Sequence, residues 1–285
     1  MTWEETIKYI RTQPEYKELV RDAYFDVDLE LNILRFKNSL EFQETLSIIE
    51  TYSPNAKTIL DIGCGNGVST VNFAQLGYKV TAVEPDSSNT VGAGAIRILK
   101  KKLGLINIEV FEDFAENIQF EDNSFDVVYV RQAMHHANHL NNFIKECVRV
   151  LKPSGILLTV RDHVIFDEAD RQWFLNSHPL QKFYGGENAF TPNEYKEAFK
   201  KAGTNIIKEL KYYDSVINYF PTTESDLKKQ EQNKIAKQKK KLQDKINILA
   251  KIPLSWWLYK RISGFVPLDE KVIPGRMYSY ITQKQ

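Results

Sequence analysis

Residues 58–67 hold the feature that most constrains the fold, a short apolar strand that runs into three glycines at alternate positions. The stretch reads TILDIGCGNG, and a helix is predicted to begin near Val68. Glycine tolerates positive φ and lets the backbone approach a ligand closely, and the helix start that follows offers unpaired N–H groups. Dinucleotide-binding folds usually space these glycines as G-x-G-x-x-G, whereas the spacing here is G-x-G-x-G. The pattern predicts a ligand cradle at the end of a strand.

An acidic residue ends the second predicted strand. Residues 78–83, with the sequence YKVTAV, run directly into Glu84. A carboxylate at the tip of this strand can accept two hydrogen bonds from a ribose diol, as it does in nicotinamide-dependent enzymes. Glu84 is therefore a candidate ribose ligand.

Three later blocks repeat the order of strand and turn. The first is the strand 106–111, which the acidic turn 112–117 follows. The second is the strand 125–130, with the sequence RQAMHH after it. In the third, a helix ends near Val150, and the sequence LKPSG leads into a fifth strand. With the glycine loop, these blocks resemble the motifs of class I S-adenosylmethionine-dependent methyltransferases, in their small-molecule, methyltransferase type 11-like branch. The resemblance is close over residues 55–162 and holds in outline beyond them. Ser154 replaces the first glycine of the family's L-K-P-G-G turn.

This resemblance implies the fold and the cofactor. The fold is α/β, a Rossmann-like seven-stranded, mostly parallel sheet with an antiparallel last strand and helices on both faces. S-adenosyl-L-methionine is the implied methyl donor, and S-adenosyl-L-homocysteine is the product. The implied cofactor-binding residues are Asp61, Gly63, Cys64, Gly65, Gly67, Glu84, Asp113, Phe114 and Arg131.

The resemblance also assigns roles within this set. The glycines let the backbone approach the methionine portion, and Glu84 holds the ribose. Asp61 orients the loop or accepts a hydrogen bond from the amino group, and Arg131 lines the methionine side after the fourth strand.

The adenine end is set by the acidic turn after the third strand. The family places an acid there, facing the adenine amino group, beside a backbone N–H that meets the ring. Asp113 and Phe114 fit these positions best. Because the turn is irregular, Glu112 and Glu116 stay open as alternatives to Asp113 after a one-residue shift.

Candidate general bases follow the fourth and fifth strands. They are His135, His136, Asp162 and His163. A hydroxyl or ammonium acceptor must lose a proton to a base, and the intrinsic pKa of histidine suits this task. His136 and His163 are the predicted catalytic residues, with a packing role at a helix start as the alternative for the His-His pair.

Further polar residues are candidates for the acceptor pocket. His178, Tyr184 and Glu187 surround the flexible pair Gly185-Gly186. Asn218, Tyr219 and Arg276 either contact a polar substrate or serve in strand-end packing and turns.

The spacing of His135 and His139 is that of two metal ligands on one helix face. No third ligand is evident near them in the sequence. The sequence therefore predicts no metal site.

The sequence predicts four segments. They are an N-terminal helical segment (1–55), an S-adenosylmethionine-binding Rossmann-like core (56–215), a helical cap insertion (216–270) and the final strand of the core sheet (271–285). The N-terminal segment either lies over the cofactor cleft or only packs against the sheet.

The insertion is rich in lysine and tryptophan. Residues 228–245 contain eight lysines, and residues 246–268 are mostly apolar and include Trp256 and Trp257. Such a segment can lie on an anionic membrane surface. The alternative is a solvated charged helix followed by a helix that caps the active site.

Composition and charge bear on the partners of the protein, on disulfide bonds and on its cellular location. The net charge of +1 and the absence of a nucleic-acid-binding motif make a nucleic-acid partner unlikely. Two cysteines, Cys64 and Cys147, do not indicate a disulfide scaffold. The acidic start, without a secretion signal, favours the cytoplasm, with peripheral membrane contact through residues 228–268 as a further hypothesis.

These observations predict an S-adenosylmethionine-dependent methyltransferase (EC 2.1.1.-) acting on a small or amphipathic acceptor, at oxygen, nitrogen or carbon. One alternative is a catalytically idle protein that binds S-adenosylmethionine and serves as a partner. The other is a nicotinamide-dependent oxidoreductase, which the glycine spacing and the Lys-Pro-Ser-Gly turn disfavour.

Overall fold

A seven-stranded sheet forms the centre of the computed structural model, which describes residues 1–246 and 253–285. Its strands are β1 (Thr58–Ile62), β2 (Lys79–Val83), β3 (Ile108–Phe111), β4 (Phe125–Arg131), β5 (Leu151–His163), β6 (Thr204–Leu210) and β7 (Met277–Lys284). The spatial order is β3-β2-β1-β4-β5-β7-β6. The first five strands are parallel, and β7 runs antiparallel to both β5 and β6. The predicted fold class is confirmed.

Helices precede the sheet, cover both of its faces and fill the insertion. They are α1 (Trp3–Ile10), α2 (Lys17–Asp22), α3 (Leu29–Lys37), α4 (Leu40–Tyr52), α5 (Val68–Gln75), α6 (Ala93–Lys102), α7 (Leu140–Val150), α8 (Glu168–Ser177), α9 (Gln181–Tyr184), α10 (Pro192–Lys201), α11 (Val216–Tyr219), α12 (Glu224–Ile246) and α13 (Pro253–Ser263). Local sequence sets several of the ends. Thr191 caps α10 through a capping box with Glu194, and Pro192 occupies the first position.

The central strands are apolar on both faces because helices cover both sides of the sheet. In β1, Ile59 packs into the core on one face and Leu60 into the core on the other. Val127 and Val128 of β4 divide in the same way. This alternation follows from the two-residue period of a strand.

The last strands differ from the predicted bounds. The sequence of residues 206–213 predicts a strand, but β6 covers Thr204–Leu210 because residues 212–214 form a 3₁₀ turn. Within the segment predicted for the final strand (271–285), β7 covers Met277–Lys284. β6 is the edge strand and β7 pairs with both β5 and β6, and in such strands pairing partners rather than local propensity set the length.

The insertion contains α12 and α13. Tyr259 of α13 donates a hydrogen bond to Gln238 of α12, and Lys239 lies 5.5 Å from the ring of Trp256. The expected apolar run 246–268 lies partly outside the described residues, which exclude 247–252. Within the described ranges, no helix has the length and apolar character needed to cross a membrane.

Candidate functional site

A cavity of about 480 Å³ opens at the carboxyl ends of the parallel strands. This is the edge at which open α/β sheets bind ligands. The glycine loop after β1, Glu84 after β2, the turn after β3 and the histidines after β4 and β5 all contribute to its wall. The sheet topology thus brings together segments that are far apart in the chain.

Each glycine of the loop has a different structural role. Gly63, Gly65 and Gly67 all have positive φ. A Cβ on Gly63 would lie 2.4 Å from that of Ala133, so this glycine allows the loop to contact the segment after β4. Gly65 lines the cavity, and a Cβ there would make only an ordinary contact, 3.5 Å from the Val91 carbonyl oxygen. A Cβ on Gly67 would meet Ile96 of α6. Gly65 is thus the open part of the cradle, whereas Gly67 serves packing and does not line the cavity.

Asp61 is fully buried below the loop. Its Oδ2 accepts hydrogen bonds from the hydroxyls of Ser69 and Thr70 in α5, at 2.7 and 2.6 Å. Burial raises the pKa of Asp61 to about 6, although these two hydrogen bonds lower it. Asp61 does not line the cavity. Its hydrogen bonds join β1 to the start of α5 across the glycine loop, and its two predicted roles stay predictions.

Glu84 bridges the end of β2 and the glycine loop. Its Oε2 accepts a hydrogen bond from the backbone N–H of Gly65 at 2.7 Å, and its Oε1 accepts one from that of Asp86 at 3.0 Å. Burial raises the pKa of Glu84 to about 7, against the effect of these two bonds. Because Glu84 lines the cavity, a carboxylate is present where a ribose diol was expected.

The turn after β3 places an aromatic side chain at the cavity. Phe114 is 63% exposed, and its backbone N–H donates to Oδ1 of Asp113. Asp113 and Glu116 both line the cavity, whereas Glu112 pairs with Arg97 outside it. Asp113 and Glu116 therefore remain as acids beside the expected adenine position. Cys64, also at the wall, is a buried free thiol whose pKa burial raises well above its ordinary value.

Arg131, the last residue of β4, lies at the wall with its charge already compensated. Its guanidinium donates to both carboxylate oxygens of Glu41 in α4. Burial alone would raise the pKa of Glu41, but Arg131 and Arg161 lower it below its ordinary value. Arg131 therefore offers the cavity donors rather than an uncompensated positive charge.

The N-terminal helices form one side of the cavity. Trp3, Leu19 and Phe25 line it, and the ring of Trp3 lies 4.8 Å from that of Tyr184. Asn66 of the glycine loop donates a hydrogen bond to the Tyr24 carbonyl. The N-terminal segment therefore lies over the cleft and does not only pack against the sheet. Sequence reasoning assigned none of these residues to the site, because an apolar helix face alone does not distinguish a cavity wall from core.

Two of the four candidate bases are paired with each other. The Nδ1 of His135 donates to Oδ1 of Asp162 at 3.0 Å, and both side chains are buried. Burial alone would lower the pKa of His135, but Asp162 and Glu187 raise it to about 9. At neutral pH, His135 is therefore a buried cation in the absence of other ligands, and neither residue is a free base.

The two predicted catalytic histidines both line the cavity. The Nδ1 of His136 donates to the Gly186 carbonyl and that of His163 to the Gly275 carbonyl, which leaves the Nε2 lone pair free on each ring. Desolvation and the charge of His135 lower the pKa of both residues. Both rings are therefore neutral at pH 7, and His136 has the more exposed surface.

The segment after α8 completes this end of the cavity. His178, Tyr184 and Glu187 line it, in agreement with their predicted place. The Tyr184 hydroxyl donates to Oε1 of Glu187, and the Nδ1 of His178 lies 3.5 Å from the same oxygen. We call these three residues, with His135, His136 and His163, the histidine cluster.

The remaining candidates for the acceptor pocket have structural roles. Arg276 is fully buried and pairs with both carboxylate oxygens of Asp170. Asn218 donates to the carbonyls of Leu210 and Lys211. Neither these residues nor Tyr219 line the cavity. Strand-end packing and turns, rather than contact with a substrate, are therefore the role of these three residues.

Comparison with known proteins agrees with this geometry. Residues 60–159 match the family model described as a methyltransferase domain. The chain is 32% identical over 106 residues to phthiotriol/phenolphthiotriol dimycocerosates methyltransferase 1 of Mycobacterium ulcerans, across 36% of this chain and 37% of that protein. It is 28% identical over 207 residues to the ubiquinone biosynthesis O-methyltransferase of Rickettsia typhi, across 68% of this chain and 79% of that one.

A solved structure of geranyl diphosphate methyltransferase in complex with S-adenosylmethionine has the same fold, with a TM-score of 0.57 at 14% identity over 92% of this chain and 93% of that one. Residues 60–159 therefore form a methyltransferase domain. Over residues 60–159, the resemblance to class I S-adenosylmethionine-dependent methyltransferases is confirmed.

Proposed function

We propose that the protein transfers a methyl group from S-adenosylmethionine to a small or amphipathic acceptor. The observation that carries this proposal is a single cavity with two different walls. One wall contains Gly65, Glu84 and Phe114, and the other contains the histidine cluster. A cofactor on the first wall and an acceptor at the second would share one cavity.

The chain's own residues fit the cofactor. Gly65 leaves room for close backbone approach, Glu84 supplies a carboxylate for a ribose diol, and Phe114 supplies an exposed ring beside Asp113. S-adenosylmethionine, when bound, supplies a methyl group on a positively charged sulfur. The walls hold the two reactants close together and exclude water, which accounts for much of the rate of such a transfer.

The acceptor's proton goes to a neutral histidine. His136 is in the form that accepts a proton, because its Nδ1–H is held by the Gly186 carbonyl and its Nε2 is free. His163 has the same tautomer but is packed between Phe174 and His135. His136 is therefore the better placed of the two predicted bases.

The acceptor is proposed to carry an apolar body. Trp3, Leu19, Phe25 and Phe143 line the cavity next to the polar histidine cluster. The two named relatives include a dimycocerosates methyltransferase and a ubiquinone biosynthesis enzyme. An amphipathic acceptor would place its apolar part against these side chains and its reactive group near His136.

Contact with a membrane surface is proposed for α13 and the residues after it. Trp257, Leu258 and Ile262 are exposed there, with Lys260 and Arg261 between them. Exposed apolar and basic side chains on one helix favour anionic bilayers. Co-sedimentation with anionic vesicles at low salt tests this, and absence of binding would rule the contact out.

A methyl-transfer assay tests the proposed activity. Labelled S-adenosylmethionine is incubated with the protein and a panel of hydroxylated, aminated and lipid-like acceptors. Formation of a labelled product and of S-adenosylhomocysteine is expected from at least one acceptor. If the protein binds S-adenosylmethionine but methylates no acceptor, the result would favour the alternative function, that of a catalytically idle protein that binds S-adenosylmethionine and serves as a partner.

A further inference from the structure

Four of the five histidines of the chain lie at one end of the cavity. They come from three separate segments, after β4, at the end of β5 and after α8. Among the described residues, one potential ligand atom each from His135, His163 and Glu187 lies within 4.8 Å of the other two. Two imidazoles and a carboxylate at this separation are a set that binds zinc and iron in proteins.

In both imidazoles Nδ1 is engaged in a hydrogen bond, so Nε2 is the atom that can bind a metal, on His135 after it loses the proton that it carries in the free protein. The Nδ1–H of His135 donates to Asp162, and the Nδ1–H of His163 donates to the Gly275 carbonyl. Metal-binding histidines are commonly oriented in this way by a carboxylate or a carbonyl on the other ring nitrogen. The Nε2 atoms of both residues remain for a ligand, and that of His135 lies 3.6 Å from Oε2 of Glu187.

Glu187 has an oxygen that the protein leaves without a hydrogen-bond partner. Its side chain is 5% exposed, and its Oε2 accepts no hydrogen bond from any residue in the described parts of the chain. The Nδ1 of His178, 3.5 Å from Oε1 of Glu187, is also buried and without a hydrogen bond there. Buried polar atoms in native proteins are generally satisfied by a protein group, water or an ion.

We propose that His135, His163 and Glu187 bind a divalent transition-metal ion at this end of the cavity. Ligand atoms on a tetrahedral zinc ion are about 3.4 Å apart, so the three side chains need only small rotations from their present separation. The sequence predicted no metal site because no third ligand is evident near His135 and His139 along the chain. His139 is exposed at the start of α7 and does not line the cavity.

Three protein ligands leave at least one coordination position open. Since all three residues line the cavity, that position is accessible to a bound molecule. An oxygen donor such as the hydroxyl group of an acceptor is the class of ligand that it would take. This assignment of the acceptor rests on the proposed function, whereas the metal site itself does not.

The alternative occupant of the cluster is a proton. A protonated His135 between Asp162 and Glu187 forms a buried ion pair without any metal. A metal ion would replace this proton, because imidazole must be neutral to coordinate. The metal-bound state and the protonated state differ at His163, because His163 is a ligand of the metal ion but not a member of the ion pair.

Zinc titration of the full chain tests the proposal. The protein is stripped with a chelator and titrated with Zn²⁺ in the presence of a competing chromophoric chelator. One ion per chain is expected, with affinity reduced at least about 100-fold in His163→Ala and in Glu187→Gln. His139→Ala, which changes an exposed histidine outside the cluster, is the matched control and should bind as the wild type does. Wild-type binding no tighter than that of His163→Ala would overturn the proposal.

Titration with S-adenosylhomocysteine on the same samples separates the two proposals. Binding of this ligand without binding of zinc would refute the metal site and leave the proposed function intact. Binding of zinc without binding of S-adenosylhomocysteine would refute the proposed function and leave the metal site intact. Glu187→Gln keeps the size of the side chain and one accepting oxygen, so it provides the test if His163→Ala fails to fold.

Discussion

The carboxylate of Glu41 in α4 pairs with the guanidinium of Arg131 at the end of β4, and the Glu41 side chain is completely buried. Arg161 of β5 lies 3.7 Å from the same carboxylate. This contact joins the N-terminal helices to the strand end at the cavity wall. It therefore connects the stability of the fold with the position of the site.

Removing the charge of Glu41 should be strongly destabilising. Glu41→Gln leaves Arg131 and Arg161 without their shared carboxylate, and an uncompensated buried charge costs about 3 kcal/mol of unfolding free energy or more. Chemical denaturation at pH 7 measures the change. Glu109→Gln is the control, because Glu109 pairs with Lys79 on the exposed surface and should leave the denaturation midpoint unchanged. Equal midpoints for the two variants would contradict the structural role of the pair.

Gly63 and Gly104 offer a matched test of the glycine loop. Their φ values are almost the same, +63° and +64°, but only Gly63 faces a neighbour, the Cβ of Ala133. Gly104→Ala should cost about 1 kcal/mol through its positive φ alone. Gly63→Ala should cost about 1–3 kcal/mol more through the steric contact, and it should weaken binding of S-adenosylhomocysteine. Similar unfolding free energies for both variants would show that the close approach to Ala133 is unimportant.

Cofactor binding should depend on pH through Glu84. The free protein has a pKa of about 7 at this residue, and the ionised form is the one that accepts two hydroxyl hydrogen bonds. Protonation must therefore compete with the ligand as the pH falls. The dissociation constant for S-adenosylhomocysteine should be about 10-fold higher at pH 6 than at pH 8. In Glu84→Gln the dependence should disappear, and a pH-independent wild-type affinity would refute the assignment.

Loss of the His136 imidazole should affect turnover more than cofactor binding. His136→Ala removes the free Nε2 at the cavity, and loss of a general base typically lowers kcat about 100-fold or more. Affinity for S-adenosylhomocysteine should stay within about 2-fold, since the residue is assigned to the acceptor's proton rather than to cofactor binding. His139→Ala should match the wild type in both measurements. An unchanged kcat in His136→Ala would move the role of base to His163 or remove it.

The local motifs, with the family resemblance that they carry, were sufficient to predict the sheet and the segments that line one side of the cavity. The apolar strand 58–62 followed by glycines, and the strand that ends in Glu84, both reflect short-range geometry that residue order fixes directly. The positive φ of Gly63 and Gly65 agrees with the predicted turn.

The parts that sequence reasoning missed depend on contacts between distant segments. The pairing of Glu41 with Arg131 links helix α4 to strand β4, and no local signal marks Glu41 as a buried charge. In the same way, His135, His163 and Glu187 belong to different segments, so their convergence becomes visible only in three dimensions. The i,i+4 spacing of His135 and His139 was the local signal, and His139 does not belong to the group that the fold brings together.

The most direct test of the central claim is calorimetric titration of the purified protein with S-adenosylmethionine and S-adenosylhomocysteine, with NADH as the comparison ligand. We expect micromolar binding of the two sulfur ligands and none of NADH. Glu84→Ala should lose this binding, while Glu109→Ala, on the exposed surface of β3, should retain it. Binding of NADH alone, or equal affinity of both variants for S-adenosylhomocysteine, would contradict the account.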